Sequence, residues 1–252
     1  MNKRIVRLVL PSVVLALAVA ACGLGTSSPG IGSSQEPGGP NSTSQSGSGL
    51  CDNPYQPVVE SATYSRTSTS SLGQGSYIGT ISHVTSTGFD VDRAGTLSSG
   101  RTYTSTEVWV CTPDGLAQYL TNDLAAIYTG SSGATVTVSV NSNQGVTLPN
   151  SINPGDTWSQ HMNADVTGPD STTNWDVTYD FTALGNESVT VPAGTFTAMK
   201  IAFHVTSASQ GQTVLEADLD LWAAPGVGLV MSDFTFGGAV QSTSVLTAYN
   251  IP

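Results

Sequence analysis

Residues 187–230 read ESVTVPAGTFTAMKIAFHVTSASQGQTVLEADLDLWAAPGVGLV, and the period of this stretch decides the fold class. Between Phe196 and His204 the odd positions Met199, Ile201 and Phe203 are apolar, with Lys200 and His204 among the even ones. From Val214 to Trp222, Leu215, Ala217, Leu219 and Leu221 alternate with Glu216, Asp218 and Asp220. Side chains alternate faces along a strand, so each segment has one apolar face and one wet face. The stretch predicts a strand, a Pro-Ala-Gly corner, a long strand, a hairpin turning near Ala208–Gly211, a second long strand and a Pro-Gly turn. Pairing wet face with wet face restricts the hairpin to even sums of residue numbers. The nearest such registers set Lys200 opposite Asp218 or Asp220, so the lysine is expected to bridge to one of them.

Outward from this stretch almost every segment reads as β. Tyr64–Ser70 and Ser76–Val84 form two strands joined by Leu72-Gly73-Gln74-Gly75, and Gly88–Arg93 alternates Phe89 and Val91 with Asp90 and Asp92. Arg101–Cys111 is rich in Thr, Val and aromatics, which suit a half-buried pleated surface. Ala134–Val140, Met231–Phe236 and Val240–Tyr249 continue the pattern, and Thr173–Leu184 places Trp175, Val177, Tyr179 and Phe181 on one face. Asp114–Tyr128 is the one plausible helical piece, with Leu116, Leu120 and Leu124 four apart, although a broken strand fits nearly as well. The expected fold is therefore all-β: a strongly curved antiparallel meander, an open or half barrel, with at most one short helix.

The chain begins with Lys3, Arg4 and Arg7, an apolar run from Leu8 to Ala21, and Cys22. This is the order of a secretory signal, and the run is too short and too interrupted by Pro11 for a membrane span. Val19-Ala20-Ala21-Cys22 resembles the bacterial lipobox, which implies cleavage after residue 21 and acylation of Cys22. One acyl chain holds weakly, at ~0.8 kcal/mol per buried methylene, so a multiply acylated cysteine is the expected anchor. Residues 22–49 would then be a tether, since Gly23 to Gly49 is almost wholly Gly, Ser, Pro, Thr, Gln and Asn. Residues 50–252 are long enough for one sizeable domain.

Loss of residues 1–21 leaves Arg66, Arg93, Arg101 and Lys200 against eighteen acidic residues, a formal charge of −14. That surface repels phosphates, which argues against nucleic acid and against electrostatic docking on anionic lipid. The expected partner is the membrane, through acyl chains on Cys22, with an unidentified apolar ligand or envelope protein as the further candidates. Cys51 and Cys111 remain, and two leftover cysteines in an exported protein usually pair. Neither has a second Cys or a His at metal-ligand spacing, which disfavours a metal site or a reactive thiol.

VPAGTF at 191–196 and WAAPGVGLV at 222–230 resemble a group of secreted bacterial β domains of unknown function. Asn53-Pro54-Tyr55-Gln56-Pro57-Val58 and Trp109-Val110-Cys111 with Asp114-Gly115-Leu116 resemble the front half of such lipoproteins. The resemblance implies a curved antiparallel sheet, broadly like the open barrel of periplasmic lipoprotein carriers, and implies no activity. The motifs also have a structural reading, because Gly194 and Gly226 suit turns with φ > 0 and Pro192 and Pro225 pin corners.

Signals for chemistry are sparse. Glu216, Asp218 and Asp220 share a face, but carboxylates ~7 Å apart on a regular strand make a solvated acidic face rather than a calcium loop. His83, His161 and His204 lie in separate segments without H-E-x-x-H, and no G-x-S-x-G elbow occurs. Trp109, Trp158, Trp175 and Trp222 fit core packing at strand positions, with a glycan or lipid groove as the alternative. The sequence thus predicts no catalytic residue, metal or cofactor. It predicts a lipid-anchored, non-catalytic exported β domain with a binding or structural role at the cell envelope, on the cell surface or in the periplasm. The alternative is a carrier enclosing an apolar ligand or lipid in the curved sheet. A roomy apolar concave face favours the carrier, and a core filled by side chains favours the first reading.

Overall fold

The structure, a computed structural model, describes residues 49–71, 73–97, 99–119 and 137–252. They form one antiparallel sheet, whose longer central strands alternate polar and apolar side chains. In chain order the strands are β1 (Thr63–Ser70), β2 (Gly73–Ser82), β3 (Gly88–Thr96), β4 (Thr102–Thr112), β5 (Gly115–Tyr119), β6 (Thr137–Gly145) and β7 (Leu148–Pro149). They continue with β8 (Thr157–Thr167), β9 (Thr172–Val191), β10 (Gly194–Ser209), β11 (Gln212–Ala224), β12 (Gly228–Phe236) and β13 (Ala239–Asn250). Their order across the sheet is β6-β8-β9-β10-β11-β12-β13-β1-β2-β3-β4-β5-β7, so the two meanders are joined where β13 pairs with β1. Of the segment proposed as helical, Gly115–Tyr119 is strand β5, and residues 120–128 lie outside the described residues.

The sheet is strongly curved and does not close into a barrel. Bulges at Lys200/Ile201 between β9 and β10, and at Trp222/Ala223 between β11 and β12, fall next to one another across the sheet. A bulge bends its strand and increases the local twist, so neighbouring bulges fold the long strands over together. Beyond the bend the VPAGTF corner packs back on β12 and β13. Val189, Val191 and Ala198 bury against Trp222, Val230 and Leu246, and the Ala193 N–H donates to Leu246 O at 3.2 Å.

The β10–β11 hairpin departs from the expected register by one step. The turn residues are Gln210 and Gly211, both at positive φ (51° and 74°), the pattern of a two-residue type I′ turn. That turn pairs Ser209 with Gln212, an odd sum that would set wet face against dry face. A bulge at Ser207/Ala208 restores the parity, and Lys200 then lies opposite Trp222 rather than Asp218 or Asp220. The predicted core face is as expected: Met199, Ile201, Leu215 and Ala217 are buried.

The segment ahead of β1 is held across the mouth of the curve. Cys51 is joined to Cys111 of β4, with an S–S distance of 2.02 Å. Asn53, buried, donates from Nδ2 to Leu148 O (3.2 Å) and Pro149 O (3.0 Å), and its Oδ1 accepts from the Tyr55 N–H (2.9 Å). The Gly226 N–H donates to Pro54 O at 2.8 Å, so the NPYQPV and APGVG motifs, far apart in sequence, meet in space. At the far edge Gly115, with φ +146°, brings β5 against β7 so closely that a Cβ there would lie 2.2 Å from Leu148 O. Only glycine permits that approach.

Candidate functional site

The curve encloses a cavity of about 390 Å³ between two chemically different walls. One wall is the apolar face of β9–β12, carrying Val177, Tyr179, Phe181, Ile201, Phe203, Val205, Leu215, Leu219, Leu221 and Phe234. It includes a run of rings: Phe181 stacks on Phe203 (4.8 Å) and Tyr179 tilts against Phe203 (5.4 Å), while Trp158 of β8 stacks on Phe181 (5.2 Å). Period-2 alternation puts these residues inward, as the sequence predicted. The four strands that carry them leave room in front, where a filled core would have none.

The opposite wall, from β1–β4, is polar. Arg66, Arg93, Glu107 and Tyr77 face the cavity with Ser68 and Trp109. Arg93 pairs with Glu107 through Nη2 and Oε1, and its guanidinium lies 4.9 Å from the centre of the Tyr77 ring. Arg66 is only 5% exposed. Its Nε donates to Ser244 Oγ (3.2 Å), its Nη2 to Ser244 O (3.3 Å) and its Nη1 to Leu229 O. Burial pulls the Arg66 pKa below its ordinary value, Arg93 adds to that, and Glu107 opposes it. Nearby, burial raises the Tyr64 hydroxyl and pushes Tyr103 up to about 12. Taking a guanidinium out of water costs several kcal/mol unless an opposite charge compensates it. Among the described residues no carboxylate forms an ion pair with Arg66.

Polar side chains bridge the open seam of the sheet. Gln160 on β8, 1% exposed, accepts from Thr147 Oγ1 (2.6 Å) and donates to Gln118 O on β5 (3.0 Å) and Asn143 Oδ1 (2.7 Å). Trp158 Nε1 donates to Thr147 O at 3.1 Å. Ser207 Oγ lines the cavity, is buried, and has no hydrogen-bond partner among the described residues.

The acidic face predicted on β11 lies on the outside and is matched by Lys200 and His204 of β10. Lys200 Nζ is 2.9 Å from Asp220 Oδ2 and 4.8 Å from the centre of the Trp222 ring. His204 Nδ1 is 2.7 Å from Asp218 Oδ1, while Nε2 is 3.4 Å from Thr206 Oγ1. An Asp-His-Thr row of this kind needs donors for an oxyanion, and in mid-sheet the backbone N–H groups are spent on the ladder. His83 pairs with Asp90 (3.0 Å) and His161 with Asp176 (3.6 Å) on separate parts of the sheet. Among the described residues no three His, Cys, Asp or Glu side chains converge to hold a metal. Of the tryptophans, Trp109 lines the cavity and Trp158 extends its ring stack. Trp175 is buried in the main core, and Trp222 lies in the cluster under the VPAGTF corner, donating to Glu187 Oε2 at 2.9 Å.

The sequence reading missed Arg66, Arg93 and Glu107. The available signal was parity: Arg93 continues the inward positions Phe89 and Val91, Glu107 shares parity with Trp109, and Arg66 with Tyr64.

Two crystal structures are similar in fold. One is of a protein designated as exported, with a YmcC-like fold, from Bacteroides fragilis NCTC 9343 (TM-score 0.52, 19% identity, covering 79% of this chain and 98% of that one). The other is of a protein designated a lipoprotein from Parabacteroides distasonis ATCC 8503 (TM-score 0.53, 19% identity, 79% and 99% covered). No curated relative matches the sequence. The DUF3108-like family matches residues 98–246, which hold the apolar wall, strand β4 of the polar wall and the bridged seam, and the chain belongs to that family.

Proposed function

We propose that this protein is an exported, lipid-anchored and non-catalytic β domain that carries one apolar ligand inside its curved sheet. The observation that carries the reading is the cavity of about 390 Å³ behind the apolar face of β9–β12. That size falls within the ~300–1,000 Å³ of small-molecule pockets, which are mostly apolar with a few placed polar groups. Residues 1–21 serve as the signal, Cys22 as the acylated anchor, residues 22–49 as the tether and 50–252 as the carrier. The exported protein and the lipoprotein that share the fold support this placement at the envelope.

The reading is tested with Nile red, a neutral apolar dye that brightens in dry surroundings. The full chain, stripped of bound lipid, should bind about one dye per molecule. Ser232→Phe, which places a ring into the cavity wall, should abolish the brightening while leaving the circular dichroism unchanged. Dye binding that Ser232→Phe leaves intact would place it elsewhere and contradict the proposal.

A further inference from the structure

The two walls differ in charge as well as polarity, and the difference names a class of ligand. Two guanidinium groups, Arg66 and Arg93, face the cavity against one carboxylate, Glu107, which is already paired with Arg93. Every acceptor that Arg66 has is neutral: Leu229 O, Ser244 Oγ and Ser244 O. A guanidinium presents five N–H groups in a planar fork, so two remain for a further acceptor. Charge supply makes the arrangement unusual. Without residues 1–21 the chain has four basic residues and eighteen acidic ones, yet two of the four basic residues line this cavity. A chain so rich in carboxylates had every opportunity to give Arg66 one of its own.

We infer that the cavity takes a single-chain amphiphile with an anionic head, carboxylate or phosphate, the head on Arg66 and the chain along the β9–β12 wall. This deepens the carrier reading and rests on it. A planar guanidinium binds either oxyanion with two parallel hydrogen bonds, and desolvation strengthens the pair. The hydroxyls of Ser68 and Ser242, which line the same cavity, add neutral donors. A cavity of about 390 Å³ lies in the lower part of the ~300–1,000 Å³ range of small-molecule pockets, which suits one alkyl chain.

The rival is that Arg66 only ties β1 to β12 and β13 through its three present bonds. Binding by the delipidated full chain is therefore measured calorimetrically at pH 7 for dodecanoic acid, dodecyl phosphate, dodecan-1-ol and dodecyltrimethylammonium. At least one of the two anions should bind ten times or more tighter than the alcohol, and the ammonium weakest. In Arg66→Met that advantage should fall below threefold with the alcohol unchanged, and Arg66→Lys should restore most of it. Alcohol binding as tight as both anions, or an anion advantage that survives Arg66→Met, overturns the inference and leaves the carrier reading standing. No binding of any of the four overturns both. If Arg66→Met does not fold, the wild-type contrast of anion with alcohol decides alone.

Discussion

Lys200 reaches Asp220 at 2.9 Å although the residue directly across the ladder from it is Trp222, over whose ring the ammonium also lies. The contact is a diagonal one. It sets a cation against a row in which Asp220 is paired across the strand with Asp233. Asp220's hydrogen bond raises the Lys200 pKa above 10.5, against a smaller lowering by burial. A raised folded-state pKa stabilises the fold at all pH below the unfolded value, and the contribution is lost as pH climbs through the folded one. Lys200→Met should therefore cost ~0.2–1 kcal/mol at neutral pH, and the deficit should vanish in strongly alkaline solution. Urea unfolding of both proteins from pH 7 to 11 checks this; a deficit that persists unchanged at pH 11 would assign it to lost packing.

A buried amide, that of Gln160, makes three of the hydrogen bonds across the seam of the sheet. Gln160→Leu leaves Gln118 O and Asn143 Oδ1 without their donor and Thr147 Oγ1 without its acceptor. A fully buried polar atom so stranded costs ~1–3 kcal/mol, and these three are half-buried, so the variant should lose about 1–3 kcal/mol in denaturant unfolding. It should also lose amide protection at the β5 edge before the β9–β11 strands. Uniform loss of protection would mean that the seam is not separately held.

Reduction should loosen the segment that crosses the mouth. Cys51 and Cys111 are 60 residues apart, and closing such a loop stabilises by roughly 4 kcal/mol in the chain-entropy model. Peptide mapping without reductant should recover the cross-linked pair from exported protein, and Cys51→Ala with Cys111→Ala should lower the unfolding midpoint. Free thiols at both positions in freshly isolated protein would end the idea.

The architecture was legible because burial on one face writes a period of two. Thr173–Leu184 and Val214–Trp222 show that period cleanly, and both are strands with those faces turned to the core or the cavity. The hairpin register was not legible, because a two-residue turn and a bulge each shift pairing by one and leave no mark on the alternation. The cavity was half legible. Its apolar wall follows from parity, but TYSRTSTS at 63–70 is polar at every position except Tyr64, so shared parity with that one residue is the sole mark of Arg66 as inward. The gap between the walls depends on curvature, which the bulges set.

Anchorage is tested at the other end of the chain. Cys22→Ser should release the protein from membranes, because a surface at −14 has no attraction of its own for anionic lipid. Continued sedimentation with membranes would show that the acylated cysteine is not the sole attachment.

Native mass spectrometry of the protein taken from its own host, without added detergent, tests the carrier account most directly. It should show the chain with one additional small molecule, released by organic solvent, which fragments as a single-chain carboxylate or phosphate. The bare chain alone, joined to a failure of the solvent-stripped protein to take up dodecanoic acid, dodecyl phosphate or dodecan-1-ol, would contradict it.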